Sequence, residues 1–316
     1  MTDPCLSGSR IYTRREILEI AAAAGVAAAL PFRPARAAAA QVLTRPIPRT
    51  GERLPVVGLG TAIVFDIGDD AAKRAERRAV IQTMIDGGGR LIDTAPSYGA
   101  AEAVLGDLLS SMAARDKVFL ATKVRVTGRE DSIAEMQESL RRLRTGKVDL
   151  VQLHNVSDAK TELRTLKEWQ QKGHTRYIGI THSQPRANDR LAEVMRRERP
   201  EFVQFNYSLA ERSVEERLLP LAADTGTAVL VNLPFSRGRL FSAVRGRTMP
   251  AWAREFDATS WGQFFLKYLL SHPAVTCVIP GTDKPEYMLD NLDAGRGKLP
   301  DAAMRRKMVE FWNSLS

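Results

Sequence analysis

The sequence predicts a (β/α)8 TIM barrel, an α/β fold, with an N-terminal capping hairpin and a C-terminal helix. Eight short apolar runs alternate with amphipathic helical stretches, and they begin about every 25 to 35 residues until one longer gap near the end. Eight such units within about 280 residues fit a closed barrel better than an open doubly wound sheet. A composition of 44% hydrophobic and 26% charged residues excludes a collagenous or wholly disordered chain.

The apolar runs are interpreted as the barrel strands. They span residues 56–59, 90–93, 118–121, 148–151, 177–180, 202–205, 228–231 and 277–279. In the gaps, apolar residues recur at helical spacing, as at Ile133, Met136 and Leu140, with charged residues on the opposite face. Each run therefore pairs with a helix that covers it.

Both ends of the barrel sequence carry additional elements. Residues 42–55, with a polar Arg-Thr-Gly-Glu turn at 49–52, are typical of a hairpin that closes the barrel floor. Residues 299–316 predict a terminal helix over the rim or flank, and the longer gap holds an extra stretch at 246–258. We find no linker after residue 40, so residues 38–316 are expected to form one barrel domain.

Cysteine content and charge exclude several classes of protein. Only Cys5 and Cys277 are present, which excludes a disulfide scaffold and a zinc cluster built from several thiolates. The formal charge of +9 is spread among 37 acidic residues instead of forming a stripe, so no nucleic-acid partner is expected. Histidines and carboxylates show no metal-ligand spacing, and no metal is expected.

The first 37 residues differ in composition from the rest. Arg14 and Arg15 precede an uncharged, Ala-rich run at 20–30, and Ala35 and Ala37 supply small residues for cleavage. This segment resembles a twin-arginine export signal, which implies the twin-arginine machinery as a partner and a periplasmic location. The alternative is a helical extension with an accidental arginine pair, and then a cytoplasmic protein. Eleven apolar residues are too few for stable membrane insertion.

Four side chains suited to proton transfer follow successive runs. Asp93 ends the second run and Tyr98 lies five residues beyond it, while Lys123 and His154 end the third and fourth. Catalytic groups of such barrels lie at the C-terminal strand ends, so the four are expected at one mouth. Each alone has an ordinary structural explanation, but a buried Asp and a buried Lys each need a partner. Together they indicate an active site.

In this order on these strands, the four residues resemble the catalytic tetrad of the aldo-keto reductases, and the likeness covers about residues 54–294. The resemblance implies an oxidoreductase that transfers a hydride between NADP(H) and the carbonyl or alcohol of a small aldehyde or ketone. Such a reaction needs a proton donor. A phenol has a pKa of about 10, so it needs a nearby positive charge that stabilises its phenolate before it can act as that donor at neutral pH. Tyr98 is then the general acid and Lys123 supplies the charge. Asp93 holds Lys123, and His154 orients the carbonyl oxygen.

The resemblance also implies residues that hold the nicotinamide end of the cofactor. These are Gly60, Thr61, Asn155, Thr181, His182, Gln204 and Tyr207. Thr181 and His182 stand where relatives carry a Ser-Asn pair, so the chain departs from the pattern at His182. Gln204 is expected to bind the carboxamide, and Tyr207 to stack on the nicotinamide ring.

The resemblance also implies residues in the last two loops that hold the phosphate and adenosine end of the cofactor. The residues are Leu233, Phe235, Ser236 and Arg237 over the pyrophosphate, and Gly281, Thr282, Lys284, Asp290 and Asn291 at the adenosine. Relatives that grip a 2′-phosphate commonly carry a Lys and an Arg where this chain has Gly281 and Tyr287. Lys284 still offers a cation, so NADP(H) is favoured and NAD(H) is not excluded.

A second class of function stays open from the sequence. The same barrel, with its departures at His182 and Tyr287, is compatible with a nucleotide-binding sensor or redox-linked partner of negligible turnover. The complete tetrad favours the enzyme.

Overall fold

A computed structural model describes residues 41–315 as a closed parallel barrel surrounded by helices. The predicted export signal at 1–37 lies outside the described residues. The fold class predicted from the apolar runs is confirmed. None of the helices in 41–315 has both the length and the apolar surface that a membrane crossing requires.

The barrel contains eight parallel strands that pair in chain order. They are β3 (Leu59–Gly60), β4 (Leu91–Asp93), β5 (Phe119–Val124), β6 (Val148–His154), β7 (Thr175–His182), β8 (Phe202–Asn206), β9 (Ala228–Asn232) and β10 (Val275–Val278). Parallel bridges between Val57 and Val278 and between Gly60 and Gly281 close the first strand onto the last. At this seam a Cβ on Gly60 would lie 2.8 Å from the carbonyl oxygen of Ile279, so only glycine fits without movement.

Alternation along the strands divides the core into two layers. On β5, Phe119 and Ala121 belong to the cluster inside the barrel, whereas Leu120 faces the surrounding helices. Inside, the ring of Phe119 lies 5.9 Å from those of Tyr177 and Phe202. Because both faces of each strand are covered, the strands appear in the sequence as nearly continuous apolar runs.

Ten α-helices are described in residues 41–315. They are α1 (Ala71–Asp86), α2 (Ala101–Ser111), α3 (Arg129–Arg142), α4 (Ala159–Gln171), α5 (Asn188–Glu198), α6 (Leu218–Thr225), α7 (Arg239–Ala243), α8 (Trp261–Leu270), α9 (Pro285–Ala294) and α10 (Ala302–Asn313). Side-chain caps mark several starts. Asp70, Ser260 and Asp301 each accept a hydrogen bond from a backbone N–H three residues later.

The predicted hairpin is present and covers the barrel floor. Strands β1 (Thr44–Pro46) and β2 (Arg53–Pro55) pair antiparallel around the predicted turn. Ile47 and Leu54 join the cluster inside the barrel, and Glu52 accepts a 2.8 Å hydrogen bond from the Tyr177 hydroxyl. The Arg45 guanidinium donates to the carbonyl of Leu270 at the end of α8 and to those of His272 and Val275 just beyond it.

The C-terminal helix α10 lies on the flank of the barrel. Its Phe311 ring packs 6.1 Å from that of Phe264 in α8. Arg305 reaches inward and donates to Ser271 Oγ at 2.7 Å and to Glu215 Oε1 at 2.8 Å. The extra stretch at 246–258 contains a 3-10 helix, Ala251–Phe256, whose Trp252 ring lies 5.6 Å from that of Phe264 and 6.1 Å from that of Phe311.

Candidate active site

A cavity of about 540 Å³ opens at the C-terminal ends of the barrel strands. Its polar wall includes Asp93, Tyr98 and His154 from one side of the barrel and Thr181 and Gln204 from the other. The remaining wall is largely apolar, with an isolated cation at Arg237. A concave, mostly apolar site with a few convergent polar groups is suited to a small organic ligand.

A buried ion pair lies behind the cavity wall, which it reaches through Asp93. Lys123 Nζ donates to Asp93 Oδ2 at 2.6 Å and to the carbonyl of Thr94 at 2.8 Å, and the two charged residues are 1% and 2% exposed. Burial by itself lowers the pKa of Lys123, but the charges and hydrogen bonds of Asp93 and Tyr98 outweigh burial and leave that pKa above its ordinary value. Lys123 is therefore a fixed ammonium ion.

The second oxygen of Asp93 is also fully engaged. Asp93 Oδ1 accepts from Gln204 Nε2 at 2.9 Å and from Gln152 Nε2 at 3.1 Å. Gln204 in turn accepts a 3.2 Å hydrogen bond from Thr181 Oγ1. Donors on β5, β6 and β8 thus hold one carboxylate on β4, and this network fixes the position of Lys123.

Tyr98 lies directly beside the ammonium ion. Lys123 Nζ is 5.0 Å from the centroid of the Tyr98 ring, and the ring borders the cavity. The loop after Tyr98 is tightly set, because Gly99 has φ +59° and a Cβ there would clash with the Asp66 carboxylate. Asp66 Oδ1 also accepts a 2.9 Å hydrogen bond from the N–H of Ala100. Sequence reasoning did not identify Asp66, which fixes the loop that carries the phenol.

His154 ends β6 and faces the same cavity. Burial, followed by the charges of Lys123 and Arg125, lowers its pKa to about 3. The imidazole is therefore neutral at physiological pH and carries one N–H. Its Nδ1 atom is buried with no hydrogen-bond partner in the part of the chain that the structure describes. The structure thus brings all four residues of the predicted tetrad together, while their catalytic roles stay a prediction.

Half of the predicted cofactor residues border the cavity. They are Gly60, Thr61, Thr181, Gln204, Leu233, Phe235, Arg237 and Gly281. The loop that follows β9 is strained, with positive φ at the non-glycine residues Leu233, Ser236 and Arg237. Such strain is concentrated at ligand-binding loops because the surrounding structure must impose it.

Tyr207 is a correction to the sequence-based prediction. The side chain is fully buried, and its hydroxyl donates to Glu215 and accepts from Arg305 Nη2 at 3.0 Å. Burial raises the pKa of this phenol above its ordinary value. A ring with no exposed surface cannot stack on a nicotinamide in this cavity.

His182 and Asn155 also lie away from the cavity wall. The Nδ1 atom of His182 accepts a 3.1 Å hydrogen bond from the N–H of Gln184, so the imidazole closes its own turn. Asn155 has φ +67°, and its backbone N–H donates a 2.8 Å hydrogen bond to the carbonyl of Thr181 on β7. Neither side chain is part of the wall.

Of the residues predicted at the adenosine end, only Gly281 borders this cavity, and Thr282, Lys284, Asp290 and Asn291 do not. The Asp290 carboxylate accepts from Ser260 Oγ and Gln263 Nε2, both at 2.7 Å, which ties α9 to α8. Lys284 Nζ lies 5.8 Å from the Tyr287 ring centroid, and Thr282 and Asn291 are buried nearby.

A smaller cavity of about 200 Å³ adjoins the first at Leu233 and Arg237 and contains Ser236. The Ser236 hydroxyl lies 2.7 Å from that of Ser208, which links the loop after β9 to the segment after β8. Ser236 was predicted at the pyrophosphate and belongs to this second cavity.

Sequence reasoning missed two polar residues of the main wall. Ser183 follows β7 and Asn232 ends β9, and both border the cavity. A polar residue at the end of an apolar run was the available signal for Asn232. Within residues 41–315, no group of three or more His, Cys, Asp or Glu side chains is arranged to hold a metal ion.

Comparison with known proteins gives a consistent result. The sequence pattern of the Aldo/keto reductase family matches residues 56–308. The aldo-keto reductase YhdN of Bacillus subtilis is 31% identical over 209 residues, which are 60% of this chain and 61% of that protein, so the match spans less than two thirds of its length. The methylglyoxal reductase YeaE of Escherichia coli is 29% identical over 71% of this chain and 80% of its own.

Solved structures share the fold. An aldo/keto reductase from Klebsiella pneumoniae, crystallised with NADP and acetate, superposes with a TM-score of 0.70 at 24% identity over 83% of this chain and 93% of that one. A holo-form aldo-keto reductase from Bacillus halodurans has a TM-score of 0.69 at 24% identity, covering 87% and 97% of the two chains.

Proposed function

This chain belongs to the aldo/keto reductase family, and from that premise we propose that it transfers a hydride between NADP(H) and the carbonyl carbon of a small aldehyde or ketone, with Tyr98 as the proton donor. The observation that carries the proposal is the buried Lys123–Asp93 pair at 2.6 Å, with its ammonium beside the Tyr98 ring that borders the cavity. A structural ion pair alone would need no phenol and no cavity beside it.

The cavity fits a nicotinamide nucleotide, which supplies or accepts the hydride when it is bound. The space of about 540 Å³ matches the size of ordinary cofactor sites. Gly60 borders the cavity and has no side chain to cover its backbone there. Arg237 in the strained loop after β9 offers a cation for the pyrophosphate. The Klebsiella pneumoniae neighbour carries NADP, and Lys284 is the cation that we assign to the 2′-phosphate of NADP(H).

The four side chains of the predicted tetrad have separate roles in the proposed reaction. The Tyr98 hydroxyl donates its proton to the oxygen that becomes negative as the hydride arrives. Lys123 stabilises the phenolate left behind, and Asp93 keeps Lys123 charged and in place. His154 stays neutral, because its pKa is lowered to about 3, and its N–H orients the carbonyl oxygen.

Replacement of Tyr98 by Phe tests the proposal. Positioned proton transfer contributes roughly 10² to 10⁴, so Tyr98→Phe is expected to lower turnover at least about 10²-fold while nucleotide binding is retained. Turnover is measured with a panel of aldehydes and ketones and nucleotide binding by fluorescence titration. Tyr287→Phe is the matched control, since this exposed tyrosine lies outside the cavity wall. A smaller loss in Tyr98→Phe would remove Tyr98 from the role.

The same panel separates the enzyme from a nucleotide-binding sensor. Equal and negligible turnover in the wild type and Tyr98→Phe, with nucleotide bound by both, would select the sensor. The intact tetrad and the naming of relatives as methylglyoxal reductases favour the enzyme and a small carbonyl substrate.

We further propose that residues 1–37 direct export by the twin-arginine route, with the nucleotide loaded in the cytoplasm before translocation. Arg14 and Arg15 ahead of the apolar run support this assignment. Fractionation of tagged full-length protein should place it in the periplasm, and the double variant Arg14→Lys, Arg15→Lys should stay in the cytoplasm. An unchanged distribution would overturn the assignment.

A further inference from the structure

The seam between the first and last strands lacks a continuous ladder. The chain around β3, which is two residues long, meets the chain around β10 through isolated bridges between Val57 and Val278 and between Gly60 and Gly281. By contrast, β6 and β7 pair without interruption from Leu150 to His154. Gly60 and Gly281 both border the main cavity. The cavity wall therefore crosses a junction that the strands alone hold only locally.

Arg77 connects the two loops that follow these strands. It lies on α1, and only 5% of its surface is exposed. Its Nε atom donates to the carbonyl of Val64 at 2.6 Å, and its Nη1 atom donates to the carbonyl of Asp283 at 2.7 Å. Val64 lies in the loop after β3 and borders the main cavity, whereas Asp283 lies in the loop after β10. One guanidinium therefore joins both sides of the seam.

Burial makes the guanidinium of Arg77 dependent on these two loops. A charged group that leaves water needs hydrogen-bond partners, and the carboxylate of Glu76, 3.1 Å from Nη1, belongs to a side chain that is 54% exposed. The loop carbonyls are therefore its main partners away from water. Because a guanidinium presents its donors in one rigid plane, it fixes the separation of the two carbonyls as well as binding each of them.

We propose that Arg77 is a positioning residue for nucleotide binding, which holds the loops after β3 and β10 at the separation that a bound nucleotide requires. The inference rests on the proposed nicotinamide-dependent function. Arg77 is not part of the cavity wall, so it acts through the backbone of Val64 and Asp283 and touches neither nucleotide nor substrate. Tyr98 and Lys123 lie on other elements, and their chemistry should not depend on Arg77.

Two substitutions of Arg77 test this role. Arg77→Met removes every donor but keeps an unbranched side chain, and its affinity for NADP⁺ should fall about 10-fold, which corresponds to about 1.4 kcal/mol. Arg77→Lys keeps the charge without the planar fork, so it should bind about 3-fold more weakly than the wild type. Affinity is measured by calorimetric titration. In steady-state kinetics the KM for the nucleotide should rise in parallel while kcat stays within about two-fold.

Amide hydrogen exchange separates positioning from a general loss of stability. In Arg77→Met, exchange should become faster in the loops at 61–66 and 281–284 and stay unchanged in strands β6 to β8. The same pattern, less pronounced, is expected in Arg77→Lys, which serves alone if Arg77→Met does not fold. Faster exchange across the whole barrel would show that Arg77 only stabilises the fold, and this would overturn the inference.

Arg78→Met is the matched control. Arg78 is the next residue of α1, and within the described residues its side chain donates to Ser111 Oγ on α2 at 3.0 Å. This variant should keep the wild-type affinity and exchange pattern. Unchanged NADP⁺ affinity in the folded Arg77 variants would overturn the inference and leave the proposed function intact. Failure of the wild type to bind NADP⁺ would overturn both.

Discussion

The two sides of the barrel mouth are constrained by different interactions. On the side formed by β4 to β6, Asp93 and Lys123 form a buried pair, and His154 and Tyr98 border the cavity next to it. On the side formed by β7 to β10, several predicted residues face elsewhere, and Ser183 and Asn232 occupy the wall.

The difference has a physical cause. A buried ammonium and a buried carboxylate each require the other, so neither can be exchanged or turned without a large cost. Contacts to a nucleotide can come from backbone amides, from different amides or from hydroxyls on any of several strands. The side that carries the ion pair is therefore constrained by charge, whereas the side that we assign to the nucleotide is constrained mainly by shape.

The largest effect is expected from breaking the charged pair. Lys123→Met leaves Asp93 buried without its cation, and loss of one partner of such a pair typically costs about 3–5 kcal/mol of the free energy of unfolding. Turnover should also fall by at least about 10²-fold, because the phenolate of Tyr98 loses its stabilising charge. Urea unfolding and steady-state kinetics measure the two effects.

A second variant shows whether the loss belongs to the pair. Asp93→Asn combined with Lys123→Met should cost less than the sum of the single losses, because no charge then remains unpaired. Additive losses would mean that the two side chains do not depend on each other, and the contrast between the two sides of the mouth would disappear.

A medium effect is expected in the pH dependence of stability. The His154 imidazole titrates ordinarily at 6.5, but in the folded protein burial and then Lys123 and Arg125 lower its pKa to about 3. Its contribution to stability is complete above pH 6.5 and is lost as the pH falls toward 3, because the unfolded chain then binds the proton more readily.

His154→Asn removes this titration. The slope of the unfolding free energy against pH between 6.5 and 3 should become shallower by up to about 1.4 kcal/mol per pH unit, the value for one proton. Denaturant unfolding at a series of pH values gives both slopes. Identical slopes would show that the folded and unfolded chains bind this proton at the same pH, and therefore that burial does not keep the imidazole neutral below pH 6.5.

The smallest effect is expected on the nucleotide side. His182→Ala removes a side chain that closes a turn outside the cavity, so affinity for NADP⁺ should change by less than about two-fold. A loss of about 10-fold would place His182 on the cofactor and would restore the sequence-based assignment.

The sequence predicts those features that depend on local pattern or on charge. All eight apolar runs overlap barrel strands, because strands covered on both faces must be apolar throughout, although the run at 56–59 meets β3 only at Leu59. Asp93 and Lys123 are recognisable because a charged residue at the end of an apolar run must find a partner.

Tyr207 shows what local pattern cannot reveal. It follows the last residue of β8, where the chain leaves the sheet and the alternation of faces no longer applies. Its direction is set by Glu215 and by Arg305, which is 98 residues further along the chain. Partners so distant in sequence leave no local signal, so the aromatic residue was assigned to the wrong environment.

The floor hairpin constrains the order in which the chain reaches its native form. The Arg45 guanidinium binds the carbonyl of His272, 227 residues later. The ribosome synthesises the N-terminal part first, so Arg45 is made long before the carbonyl groups to which it donates. The Arg45 contact consequently cannot form until residues 270–275 have been synthesised, whereas the hydrogen bond between Tyr177 and Glu52 becomes possible as soon as β7 has been made.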